Sequence, residues 1–346
     1  MRQEIKAQET YRWRPYELLR MMAVAVMLGC FLTEAEAQKE FAHRVDSVLA
    51  ERYSKTVYDT NYVVRPDGRL TLKLRLNQSG NNIHAKGTEN GVHSKYDLKT
   101  DEKTTVSIGA SYRGLSLSLA INPAKMKGVY KDYEFNFNYY SSRLSLDFSY
   151  QHAESVAGDI EYGNVTQNIV PGDVTLKMVY IAGYYVFNSR RFSLPAAFSQ
   201  SYIQRRSAGS WLAGFSYQGG TVKTTDALTE RNANAPETRL YIGHFGIGGG
   251  YGYNFVVGRK WLFHLSGMPT LVVYTNNNLT VDGERKKAKY TRFNMMFNER
   301  AAIVYNFSPR YFAGATLTMN NSLFADKAIE VNQSKWRVRA IVGMRL

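Results

Sequence analysis

The chain has 346 residues, and its 44 Lys or Arg against 29 Asp or Glu leave a formal charge of +15. A single cysteine excludes a disulfide scaffold and a zinc ribbon. The 25 Tyr, 17 Phe and 4 Trp exclude the aromatic-poor composition of a disordered chain. Past residue 37 no apolar run reaches the roughly 20 residues of a spanning helix, so a polytopic helical membrane protein is excluded too.

Arg12, Arg14 and Arg20 precede an apolar run from Met21 to Leu32, and Ala35, Glu36 and Ala37 follow it. That order is the layout of a secretory signal peptide, which assigns residues 1–37 to a cleaved export signal. A buried core helix and a lipoprotein box at Leu28, Gly29 and Cys30 are the competing readings; Phe31 and Leu32 directly after the cysteine fit the box poorly. Cleavage after Ala37 removes five basic and five acidic residues, so the charge stays at +15, and it removes Cys30.

Residues 38–68 read as a periplasmic segment, with Phe41, Val45, Val48 and Leu49 at the spacing of one short amphipathic helix. From residue 69 to 346 the period is two. Leu70, Leu72, Leu74 and Leu76 share one face and Thr71, Lys73 and Arg75 the other. The alternation returns at 106–112, 115–121, 133–139, 144–150, 174–184, 211–217, 241–255, 261–273, 293–305, 311–319 and 336–346, for about twelve strands. A soluble antiparallel sandwich also alternates. The links separate the two: those at 113–114, 141–142, 257–260 and 308–309 are tight, whereas 78–103, 152–172, 218–238, 276–289 and 320–334 are long and polar. Alternating short and long links, with Tyr112, Tyr133, Tyr139, Tyr150, Tyr184, Trp211, Tyr217, Trp261, Tyr274 and Trp336 near strand ends on or beside the apolar outer face, predict an all-β, transmembrane antiparallel up-and-down β-barrel.

The six histidines form no metal-ligand pair, so no metal and no cofactor are expected. The run at 246–252 lacks dinucleotide spacing. On a strand it places Gly246, Gly248, Gly250 and Gly252 on the inner face, joined by Gly183 and Gly214; such a stripe marks a bend or close approach by another chain segment. One link breaks the rhythm. Where a short turn is due, residues 187–209 carry Arg190, Arg191, Arg205 and Arg206 around an apolar stretch. This segment is expected to fold inward as a plug on the glycine wall, its arginines pairing with interior carboxylates or an anion.

Lys73, Arg75, Lys335, Arg337, Arg339 and Arg345 fall on inward positions of the first and last strands, which closure makes neighbours. Glu134, Asp147 and Glu299 are read as inward carboxylates that offset part of that charge. A basic interior attracts anions, or its charge belongs to an internal salt-bridge network. Nucleic-acid binding is disfavoured, because the charge follows a strand period rather than a continuous patch.

The stretch 184–217, Y-D-T-N-Y at 58–62, G-Y-G-Y-N at 250–254 and R-A-A-I-V-Y-N at 300–306 resemble a family of uncharacterised outer-membrane proteins from Bacteroidetes-type bacteria, domain of unknown function 4421. The resemblance implies an outer-membrane barrel and supplies no catalytic residues. The expected function is therefore a non-enzymatic barrel in the outer membrane, a narrow channel or a binding module for anionic solutes or envelope glycolipid. Its partners are outer-membrane lipid and lipopolysaccharide. The alternatives are a membrane-embedded lipid-modifying hydrolase, for which His152 and Ser155 are the one nearby pair, and a soluble periplasmic β-sandwich.

Overall fold

The computed structural model describes residues 40–346 except 41–42, 45, 49, 52–57, 67, 69, 90–91, 113–114, 122–129, 233–236, 282, 288–293 and 326–328. The expected signal, residues 1–37, lies outside them, as do Phe41, Val45 and Leu49. Two units are present, residues 1–55 and 56–346. In the first, residues 40, 43–44, 46–48 and 50–51 are helical.

The second unit is a strongly curled antiparallel sheet. Its long strands are β1 (Leu70–Glu89), β2 (Lys103–Tyr112), β3 (Leu115–Ile121), β4 (Tyr133–Tyr140), β5 (Leu144–Ala153), β6 (Val174–Val186), β7 (Ala208–Thr224), β8 (Thr238–Val257), β9 (Trp261–Thr275), β10 (Met295–Asn306), β11 (Tyr311–Ala325) and β12 (Ile329–Arg345). Each pairs with the next. β12 pairs with β1 from Ile329↔Gly87 to Arg345↔Thr71. Among the described residues the β3–β4 seam is short, Leu115↔Tyr139 and Ser116↔Asn138.

The period of two sorts the side chains in the sense opposite to a soluble sheet. Ile108, Trp211 and Leu265 point outward, 70%, 69% and 70% exposed, while Lys73, Ser111, Thr270 and Arg300 are buried inside. Many polar and charged residues take inward positions, beside apolar clusters such as Val272, Met296 and Phe324, and apolar residues cover the exterior.

The expected long loops are a correction. β1 continues through Gln78 to Glu89 and pairs there with a strand at Val92–Thr100, which pairs in turn with Val156–Tyr162. Hairpins also occupy Val156–Ile169 and Asn278–Lys287. In Gln78, Asn82, His84 and Lys86 the outward face turns polar while the period of two persists, so composition resembled loop although the backbone remains strand. At this end Leu98, Val156, Ile169, Val174, Leu176, Met178 and Leu228 form a small apolar core.

The glycine stripe has two causes. A Cβ at Gly248 or Gly250 would lie 2.1 and 2.0 Å from backbone oxygens of Pro269 and Gly267, so strands β8 and β9 approach each other more closely there than a side chain permits. A Cβ at Gly252 would instead meet the Phe192 ring at 2.9 Å. Gly214 faces inward beside Met268, but Gly183 does not face inward as expected: its Cβ would meet Phe215, an exposed outer residue. In V-T-L-K-M-V-Y-I-A-G-Y-Y-V both faces of β6 are apolar, which hid the parity. Gly248→Val is expected to block β8–β9 pairing, so the refolded variant should lack the heat-dependent gel mobility shift expected of the parent.

Candidate functional site

The interior is built by side chains that reach across it. Arg300 of β10 pairs with Asp147 of β5, the two being 6% and 18% exposed. Arg300 also donates to the Tyr184 hydroxyl at 2.6 Å and to that of Tyr140 at 3.3 Å, while Tyr140 donates to Asp147 at 2.6 Å. Arg337 of β12 pairs with Glu134 of β4. Lys335 lies 3.1 Å from the same carboxylate, donates to Ser149 at 2.7 Å and sits 4.3 Å from the Tyr180 ring. Gln333 of β12 accepts from Gln218 of β7 and donates to Tyr180 at 2.7 Å and to Asn81 at 3.1 Å. None of these charge pairs joins adjacent strands. Desolvated charges hold only where partners and hydrogen bonds replace water, and this lattice provides both. Tyr140, Asp147, Tyr180, Arg300, Lys335, Arg337 and Arg339 leave a cavity of about 50 Å³ between them.

The end of the sheet that carries the tight turns is filled by residues 192–204. Phe192, Leu194, Ala196, Ala197, Phe198 and Tyr202 are buried. The short helix α1 (Leu194–Phe198) starts because Ser193 Oγ accepts the Ala196 N–H at 3.2 Å and Pro195 lies in its first turn. Three strands hold it. Asn254 of β8 donates to the Ser193 carbonyl at 3.0 Å and to Gln204 at 2.9 Å. His264 of β9 is hydrogen-bonded to Asn254 at 2.7 Å and meets the Phe198 ring edge-on at 4.9 Å. Arg345 of β12 donates to the Gln200 carbonyl at 2.6 Å, to Pro309 at 3.0 Å and to Asn306 at 2.8 Å. The segment at 58–65 covers the plug: Val63 and Val64 pair with Gln204 and Ile203, and Tyr58 packs at 5.0 Å on Tyr202. Burial of its hydroxyl pushes the Tyr58 phenol above its ordinary value, against the opposing Ser193 hydrogen bond.

The sequence profile of the family described as Domain of unknown function (DUF4421) matches residues 57–345. The chain belongs to this family. No curated protein matches it. Among solved structures it is similar to the translocator domain of autotransporter NalP from Neisseria meningitidis (9% identity, 90% of this chain and 98% of that one, TM-score 0.33). It is also similar to the outer membrane protease OmpT from Escherichia coli (7%, 81% and 97%, 0.34) and the outer membrane protein OprG from Pseudomonas aeruginosa (9%, 82% and 99%, 0.29).

In this member of the family, Lys73, Arg75, Lys335 and Arg337 are buried inside and Arg339 is half-buried on the same face. Lys73 donates to Ser111 at 2.7 Å. The plug enters the interior, but Arg190, Arg191, Arg205 and Arg206 remain on its exposed side. Arg191 lies 3.7 Å from Asp59, and Arg191 and Arg206 lie over the Tyr62 ring at 5.1 and 5.9 Å, so their partners come from the covering segment rather than from interior carboxylates. Glu299 is corrected: it is exposed on the outer face, where Asn321 donates to it at 2.9 Å, and Arg300 takes the inward position. Tyr184 is corrected as well, since it points inward onto Arg300 instead of sitting at the outer surface.

Arg300, Asn254 and His264 are interior residues that residue-type reasoning missed; their parity with Ala302, Val256 and Leu262 marked the inner face. The hydrolase pair is not assembled: Ser155 donates to Asp132, and His152 faces Glu154 at 3.3 Å and stacks on Tyr133. The Lys131 backbone N–H, aided by His152, holds the Glu154 carboxyl below its ordinary value. Removing one member of the Arg300–Asp147 pair strands a buried charge. Asp147→Asn should lower the unfolding free energy by about 3–5 kcal/mol, read from urea titrations in detergent micelles, and adding Arg300→Met should recover part of that loss.

Proposed function

We propose that the protein is a closed, twelve-strand, non-enzymatic outer-membrane β-barrel, exported by a cleaved signal, whose plugged lumen binds an anion. The outward apolar face supports the membrane placement. β9 runs from Trp261 to Thr275, 15 residues, more than the 9–11 that cross a bilayer at a tilt. Lipid solvates such a face, whereas in water it would remain an unburied apolar band. Lipid and lipopolysaccharide of the outer membrane are then the surroundings of the barrel.

The observation that carries the binding function is the charge inventory of the lumen. Among the described residues Lys73, Arg75, Arg300, Lys335, Arg337 and Arg339 face two carboxylates, Glu134 and Asp147, and Asp147, Arg300, Lys335, Arg337 and Arg339 line a cavity. Cationic surplus in a poorly hydrated interior calls for an anion. Of the two modes expected from the sequence, binding is favoured over free conduction. The plug occupies one end, and cross-lumen hydrogen bonds such as Gln218–Gln333 span the bore.

Reconstitution in planar bilayers tests both parts. The parent should show no stable open pore. A chain lacking residues 192–204 that still shows a heat-dependent mobility shift should conduct, with anions preferred. A large cation-selective conductance in the parent, or recovery solely in soluble fractions, would overturn the reading.

A further inference from the structure

The surplus charge is not spread evenly. Arg300 has Asp147, and Lys335 and Arg337 share Glu134. Arg75 and Arg339 form no close ion pair with a carboxylate among the described residues, although Asp147 attracts Arg339 from farther off. They lie on the same inward face of adjacent strands, since Arg339 registers with Asn77 and Arg75 with Ile341, which makes them diagonal neighbours. Arg75 is 8% exposed and its Nε has no hydrogen-bond partner. Its guanidinium occupies space that Gly109 leaves open: a Cβ there would come within 3.1 Å of Arg75 Nη1. Arg339 lines the cavity together with Arg337 and Lys335. Two guanidinium groups in this relation repel each other unless something negative lies between them.

We propose that Arg75 and Arg339 hold one tetrahedral oxyanion of the phosphate class in the lumen, an assignment that rests on the anion-binding reading above. The cavity that Arg339 lines, next to Arg75 rather than enclosed by it, has the right size. At about 10–15 Å³ for each water it takes three to five waters, and a phosphate group has about as many heavy atoms. The fork of guanidinium donors matches two oxygens of such a group, and a pair of forks neutralises its charge. A single chloride would leave most of those donors unused. Free phosphate and the phosphate of a membrane lipid present the same chemistry.

Calorimetry on the full chain folded in detergent micelles decides the matter, with inorganic phosphate as one probe and micelles doped with phosphatidic acid, against phosphatidylcholine, as the other. Saturable binding of either probe, weakened at least tenfold in both Arg75→Gln and Arg339→Gln, is the expected result, and the probe that binds identifies the source. A retained heat-dependent mobility shift shows that each variant is folded. If binding is unchanged in these two variants but lost in Lys335→Met, the site fails while the wider reading stands. Loss in Arg190→Gln instead would move the anion to the plug's exposed side and overturn the proposal. Silence from both probes with the folded parent overturns the site and the anion-binding reading together.

Discussion

Charges that pair across the interior are the constraint on which the rest of this structure depends. Arg300 with Asp147 and Arg337 with Glu134 join walls separated by several strands, so each pair sets how far apart those walls can stand. An ion pair removed from water is stable only with good geometry and with its remaining donors satisfied, here by Tyr140, Tyr184, Asn136 and Ser149. The bore is therefore occupied by its own side chains. A cavity persists where the cations outnumber the carboxylates.

The plug follows the same logic at the other scale. Residues 192–204 add buried apolar bulk to an inner wall that carries Leu262, Val304 and Phe312 beside its polar residues, and Asn254, His264 and Arg345 supply polar contacts to the segment. Gly252 gives Phe192 the room to lie against β8. Of the flanking arginines, Arg191 and Arg206 stay outside, where Asp59 and Tyr62 of the covering segment meet them at little desolvation cost. Gly248 and Gly250 serve a separate purpose, letting β8 and β9 approach each other closely.

Several of these features were legible in the sequence, and others were hidden for identifiable reasons. Leu70 to Leu76 separate cleanly, so the inward placement of Lys73 and Arg75 followed from the period alone. In β6 both faces are apolar, so Gly183 and Tyr184 were placed on the wrong sides. Glu299 and Arg300 are adjacent, and an error of one residue in parity exchanges a lumen carboxylate for a lumen cation. The polar extensions beyond Gln78 read as loops because composition signals burial, whereas strand continuation depends on the pairing partner.

The sequence by itself determined the period, the class of fold, the basic inner wall and the anomalous link at 187–209. These depend on neighbours two residues apart, which local order preserves. Tertiary structure alone decided which cations found carboxylates, where the plug's arginines point and which glycines admit a ring rather than a strand. Those outcomes depend on residues more than a hundred positions apart meeting across the curled sheet, such as Arg300 with Asp147 and Lys335 with Ser149. No local pattern records the distance between two walls until the sheet has curled.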